Sequence, residues 1–231
     1  MGKFLIALLF LSFNAHAKDV RVMVIDTGIS VNQLFLLKYV EASTFEDTAD
    51  DSGHGTHMAG IIAGSGCPNL KIVSCKAFFK NHSVPNRINE CFQRAIDGKF
   101  DIVNLSGGGE APDDTEYKLL KQLSDKGVQI NVAAGNGRKE DNQWGKDLGS
   151  PCWGYFPACY TNIEHINAIG SIDTKDKTSW FSNYGIVGMK WEYGEDVLST
   201  LPNNKWGKMT GTSMATALYT RHMVQDMCYQ R

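Results

Sequence analysis

Short runs of β-branched and aliphatic residues recur along this chain, and stretches patterned for helices separate them. The apolar runs are "DVRVMVID", "LKIVSCKAFF", "FDIVNLSGGG", "VQINVAAGNG" and "HINAIGSID". Between them lie "GTHMAGIIAG", small and apolar enough for a tightly packed helix, and the amphipathic "RINECFQRAIDGK". "DTEYKLLKQLSDKG" reads as a helix with Gly127 at its C-terminal cap. A last helix is expected from Ser213 to Tyr229. Runs that are apolar throughout, rather than alternating, suit strands buried on both faces, as in a parallel sheet. Strand–helix alternation leads to the same fold class: α/β, a mainly parallel sheet with helices on both faces. No repeat or linker divides the chain, and 231 residues fit one domain. The long irregular stretch 138–162 is a surface excursion, a natural place for substrate contacts.

The first residues carry a separate message. Lys3 precedes an apolar run from Phe4 to Phe13, and Ala15-His16-Ala17 makes an A-x-A cleavage frame, the plan of a secretory signal peptide. The apolar run spans only about 15 Å as a helix, roughly half a bilayer core, so a membrane anchor is not expected. Cleavage after Ala17 would leave a domain of residues 18–231, exported to a periplasm or outside the cell. No stable membrane association is expected afterwards. With no cysteine at the cut, a lipid anchor is not indicated either.

Six cysteines lie beyond that cut, an even number that fits disulfides in an oxidising compartment, with about 15 possible pairings. Cys152 and Cys159 enclose a short segment, and a local bridge there would contribute about 2–3 kcal/mol. No C-x-x-C pair appears, so a zinc site is not expected, and no cofactor is implied. A formal net charge of −2 gives no reason to expect a nucleic-acid partner.

In an open parallel sheet, functional groups gather beyond the carboxyl ends of the strands. Four polar residues fall at such ends or at adjoining helix starts: Asp26, His54, Asn136 and Ser213. Taken singly, each has an ordinary explanation: a turn-forming Asp, a helix cap, a metal ligand paired with His57. The His54-x-x-His57 spacing does not match the zinc-protease pattern, which needs histidines at i and i+4 with a Glu beside the first. Together, Asp, His and Ser follow one of the known chain orders of a hydrolytic triad.

The motifs around these residues resemble those of the subtilisin family (subtilases). "VIDTGI" (24–29) is similar to the family's Asp motif, "HGTHMAG" (54–60) to its His motif, and "GTSMA" (211–215) to its Ser motif. "AAGN" (133–136) is similar to the stretch that carries an oxyanion-hole asparagine. The resemblance implies a three-layer subtilisin-like fold and an Asp26–His54–Ser213 triad, with Asn136 stabilising the oxyanion. It implies peptide or protein substrates laid as an added strand along Leu105, Ser106, Gly107, Gly108 and a stretch near Ala77 to Lys80. Ala133, Ala134 and Gly135 would line the main specificity pocket. Gly107 stands where the family usually has a larger apolar residue, so that pocket or its neighbour is expected to be more open. No acid is evidently placed to select a basic side chain, and the expected preference is broad or apolar. His57 is expected to have a structural role.

The chain also departs from the family pattern. The acidic run "FEDTADDSGHGT" fits no EF-hand and reads as a solvated loop. The loop that holds a calcium site in many subtilisins is missing after "HMAGIIAG", so no metal is expected there. Ala217 replaces a common proline, a change a helix tolerates well. The leader runs directly into the Asp26 strand, leaving no interval for a pro-domain, so unaided folding or a chaperone or partner chain is expected. Arg221, His222, Gln225 and Asp226 make the last helix polar enough to lie partly open to water. These departures leave open a catalytically inactive peptide-binding protein and an acyl-transfer enzyme on the same triad.

Overall fold

The computed structural model describes residues 17–41, 49–79, 82–137 and 144–229. The leader pattern therefore lies outside the described residues. The elements run β1 (Val20–Asp26), α1 (His54–Ala63), β2 (Leu70–Lys76), β3 (Phe78–Phe79), β4 (His82–Ser83), α2 (Pro85–Asp97), β5 (Ile102–Leu105) and α3 (Asp114–Asp125). They continue with β6 (Gln129–Ala133), β7 (Ile166–Ile172), β8 (Lys190–Tyr193), β9 (Val197–Leu201), β10 (Lys205–Met209) and α4 (Thr212–Tyr229). Six strands form one parallel sheet in the order β2-β1-β5-β6-β7-β8.

Strand alternation divides the core into two. Met23, Ile25, Val103, Leu105, Ile130 and Val132 face α2 and α3, while Val22, Val24 and Ile102 face α1 and α4. The result is three layers, as expected. From β1 the chain crosses to β2 on one side and later to β5 on the other, so a crevice opens beyond the carboxyl ends of β1 and β5. Register places Asp26 beside Lys76, and Ile25 beside Leu105, which itself pairs Val132.

Three disulfides pair Cys67 with Cys228, Cys75 with Cys91, and Cys152 with Cys159. The first ties the end of α4 to the α1–β2 connection. The second ties β2 to α2. The polarity of α4 proves local: His222 and Asp226 are exposed, but Thr212 to Ala217, Thr220, Val224 and Cys228 are buried. Its first half is therefore a core helix, and only its far half meets water. Gly127 follows α3 with φ +77°, and its N–H bonds to the Ser124 carbonyl, the expected glycine stop.

Among the elements without a clear signal in the sequence are β8 and the β9–β10 hairpin. "KWEY" alternates charged and aromatic residues and is too short to stand out, as suits β8 at the edge of the sheet. The hairpin turns at Pro202–Asn204, where Asn203 and Asn204 both adopt positive φ, a conformation asparagine tolerates. Among the described residues no helix is long and apolar enough to cross a membrane.

Candidate active site

Asp26 ends β1 and is 2% exposed. Its Oδ1 accepts the Thr27 N–H at 2.7 Å and lies 2.7 Å from His54 Nδ1. A carboxylate can only accept here, so Nδ1 carries the proton and Nε2 is the free basic position. The approach depends on Gly55: a Cβ there would stand 2.1 Å from the Gly28 carbonyl oxygen and 3.1 Å from Asp26 Cβ. Any side chain at 55 would push α1, and with it His54, off the end of β1.

His54 is the first residue of α1 and is partly open to solvent. Burial disfavours its charged form, yet its pKa is held above the ordinary histidine value. The charge of Asp26, the Asp26 hydrogen bond and the charge of Asp50 outweigh the burial. His57, one turn on, is fully buried and bonds through Nε2 to the Gly207 carbonyl at 3.1 Å. Burial holds its pKa below the ordinary value. It is a neutral packing residue, as expected.

The sequence reading missed Asp50. Far from being a solvated acid, it accepts from the Thr27 hydroxyl at 2.8 Å, from the Gly53 N–H at 2.7 Å and from the Thr56 N–H at 2.9 Å. Thr27 in turn accepts the Gly55 N–H at 2.9 Å. The Asp50 carboxylate thus caps α1 in place of Gly53, which has no side chain to do so. Lys76, 3% exposed, donates to the Ala49 carbonyl at 2.6 Å and pairs Asp51 at 3.2 Å, holding this segment against β2.

Ser213 lies in the first turn of α4, where helix geometry leaves backbone N–H groups without intrahelical partners. It is 8% exposed, and its hydroxyl donates to the Ser106 carbonyl at 3.1 Å. Asn136 is exposed beyond β6, and its Oδ1 accepts the Thr212 N–H at 2.9 Å. Since that N–H can only donate, the amide orientation is fixed and the Asn136 NH₂ makes no hydrogen bond among the described residues. Asp26 and His54 are thus one bonded unit, and Ser213, Ser106, Thr212 and Asn136 another. Among the described residues no hydrogen bond joins Ser213 to His54.

The Ser213 end of α4 is tied into the sheet by a polar chain the sequence did not reveal. Asn167 donates to Asn131 at 3.0 Å, Asn131 to the Thr220 hydroxyl at 2.9 Å, and Thr220 to Asn104 Oδ1 at 2.8 Å. Asn104 donates to the Ser106 hydroxyl at 3.0 Å, and Ser106 to the Ser213 carbonyl at 3.2 Å. Every donor in this relay is also an acceptor from the member before it, save the first, so the bonds can polarise one another. Asn104, Asn131 and Thr220 are fully buried.

Leu105 is in the sheet, while Gly107 and Gly108 continue past it with no backbone partner among the described residues. Gly109 exchanges both its groups with Phe156, at 2.8 and 2.7 Å. The space at Gly107 itself is not open. A Cβ there would lie 2.6 Å from Phe78 Cζ, because the Phe78 ring of β3 fills that space. Opposite, Ala133, Ala134 and Gly135 are buried and braced by Asn183, which donates to the Ala134 carbonyl at 2.8 Å. Tyr155, another residue missed, spans the gap: a Cβ at Gly108 or at Gly135 would each fall 2.8 Å from its ring. Burial raises its phenol to about 12.

Among the described residues no cluster of three or more His, Cys, Asp or Glu side chains could hold a metal ion.

With this geometry in place, similarity to known proteins bears on it. The model of the subtilase family matches residues 17–225. The chain is 30% identical to the major intracellular serine protease of Bacillus subtilis (strain 168) over 86% of its own length and 65% of that protein. It is 30% identical to a thermophilic serine proteinase of Bacillus sp. (strain AK1), covering 84% of this chain and 49% of that one. Subtilisin DY of Bacillus licheniformis is 29% identical, over 86% of this chain and 73% of that one. The chain thus spans just under two thirds of the first of these and about half of the second. Among solved structures, a mutant of the protease domain of PatA superposes with a TM-score of 0.77 at 22% identity, over 94% of this chain and 82% of that one. That likeness concerns the fold.

Proposed function

This chain belongs to the subtilase family, and from that premise we propose that it is an endopeptidase using Ser213 as nucleophile. The observation that carries the reading is the His54–Asp26 pair, with Nδ1 protonated and Nε2 free, at the crevice beyond β1. In the proposed reaction Ser213 Oγ leaves the Ser106 carbonyl by rotation about χ1 and gives its proton to His54 Nε2 as it attacks the substrate carbonyl. Asp26 holds the imidazole tautomer and stabilises the imidazolium. The free NH₂ of Asn136 and the Ser213 N–H stabilise the oxyanion. The imidazolium then protonates the leaving amine, leaving an acyl-enzyme. Water, deprotonated by His54, cleaves the ester and restores the serine.

The substrate would add as a strand on Gly107 and Gly108, with its residue before the scissile bond directed between Gly108 and Gly135. Tyr155 closes that space, which favours a small side chain there. Three disulfides and the A-x-A leader support an exported enzyme, although the first relative is described as intracellular. N-terminal sequencing of the secreted protein, expected to begin at Lys18, tests this.

The Ser213–Ser106 bond favours one other reading, a peptide-binding protein without turnover. A fluorophosphonate probe separates the two. Labelling of the chain from Lys18, abolished in Ser213→Ala and slowed in Asn136→Ala, is the expected result. A folded chain that does not label would overturn the enzyme reading.

A further inference from the structure

Beside the Gly108–Gly109 backbone lies a cavity of about 290 Å³. Its floor is apolar: Ile88, Leu105 and Phe156 are all nearly buried. Its rim carries three carboxylates, Glu110, Asp113 and Glu116. They are not equivalent. Glu110 is mostly exposed and pairs Lys146 at 3.5 Å. Asp113 is committed to capping α3, accepting the Glu116 N–H at 2.6 Å.

Glu116 is different. Asp113-Asp114-Thr115-Glu116 has the spacing of a capping box, in which the fourth residue's carboxylate would return a bond to the first residue's N–H. Here that N–H is taken by the Tyr160 hydroxyl at 2.8 Å, which itself donates to the Asp113 carbonyl at 3.1 Å. Tyr160 therefore displaces Glu116 from the box. No hydrogen bond or ion pair reaches the Glu116 carboxyl among the described residues, and Glu116 is one of the residues that line the cavity. Burial, and then the charge of Asp113, raise its pKa to about 7. An unused carboxyl so placed gains from a cation more than a solvated one would.

We infer that this cavity is a specificity subsite for a basic residue of the substrate, with Glu116 as its selecting group. The inference rests on the proposed strand addition along Gly107 and Gly108. A lysine or arginine stem would lie on Ile88 and Phe156 while its charged head meets Glu116. At about 3.3 Å per residue, Gly109 is about 10 Å along the strand from Ser106, which places the basic residue about three positions from the scissile bond. This replaces the broad or apolar preference expected from the sequence with a directed one.

The test uses internally quenched peptides that differ only in arginine, norleucine or glutamate at successive positions near the scissile bond. kcat/KM should favour arginine over norleucine about tenfold or more at one position about three residues away. Glu116→Gln should collapse that ratio through loss on the arginine peptide. Glu116→Lys should turn the preference toward glutamate, an inversion that misfolding cannot mimic. The same peptides are titrated onto Ser213→Ala by fluorescence anisotropy. Arginine selectivity in binding without turnover would sink the enzyme reading and keep the subsite. Cleavage or binding indifferent to arginine, or unaffected by both Glu116 variants, overturns the subsite. Peptides that neither bind nor react overturn both.

Discussion

Replacing Thr220 by valine tests whether the polar chain behind Ser213 holds the site together. Valine matches threonine in shape, so packing changes little, but the hydroxyl between two buried amides is lost. Asn104 Oδ1 would lose its donor and the Asn131 NH₂ would lose its acceptor. A buried polar group left unpaired costs about 1–3 kcal/mol, giving about 2–6 kcal/mol for the two. The Asn131 NH₂ also has Met223 Sδ at 3.9 Å, a weak acceptor, so the lower half of that range is the working figure. At about 3 kcal/mol the melting temperature of a domain of this size should fall by about 6–12 °C. Thr220→Ser, which keeps the hydroxyl and gives up only a methyl, should recover more than half of the loss. Thermal melts of both variants under non-reducing conditions decide it. A valine variant that melts within 1–2 °C of the parent, or a serine variant that melts as low as the valine one, would refute the head-to-tail chain.

Because burial is outweighed by Asp26 and Asp50, His54 titrates above its ordinary value of about 6.5, and in its proposed role as base it must be neutral. Activity on a small ester should therefore rise with pH through a midpoint above that value. Asp26→Asn should move the midpoint down and cut the rate about 10⁴-fold. The sign for stability is opposite: a raised folded-state pKa stabilises fully below the unfolded value, and that contribution disappears as pH rises through the folded one. Tyr155→Ala should open the space between Gly108 and Gly135 and shift cleavage toward larger side chains before the scissile bond, read from a peptide library. The Cys67–Cys228 bridge spans 161 positions, for which chain entropy gives about 5 kcal/mol. Cys228→Ser paired with Cys67→Ser should lower urea resistance by up to that amount, and by more than loss of the seven-position Cys152–Cys159 bridge.

What the sequence makes legible follows from where each signal resides. Asp26 and Asn136 stand beyond the carboxyl ends of β1 and β6, where a parallel sheet collects functional groups, while His54 and Ser213 stand at the starts of α1 and α4 and were legible from the motifs around them. Asp50 was within reach too. Its Oδ1 accepts from the N–H groups of Ser52 and Gly53, an Asx turn that "DDSG" (50–53) can form, but the neighbouring acids made the run look merely solvated. Asn104 and Asn131 offer no such local cue. Each sits inside a run read as a buried strand, and each meets Thr220, 116 and 89 positions away.

Phe78 and Tyr155 share that limit: a glycine at 107 or 108 looks like open space until a ring from a distant segment is seen to fill it. The Glu116 case is sharper still. The capping-box spacing is fully visible in the sequence, and taken locally it assigns Glu116 to the backbone. Only Tyr160, 47 positions from Asp113, cancels that assignment and leaves the carboxyl for something else. A local rule fails there because a distant residue has done its work, and the freed group is the one that faces the cavity beside the proposed substrate strand. If Tyr160→Phe returned Glu116 to the Asp113 N–H, arginine selectivity should fall although no residue lining the cavity had changed. Selectivity untouched by that variant would show that Glu116 was never competing for the cap.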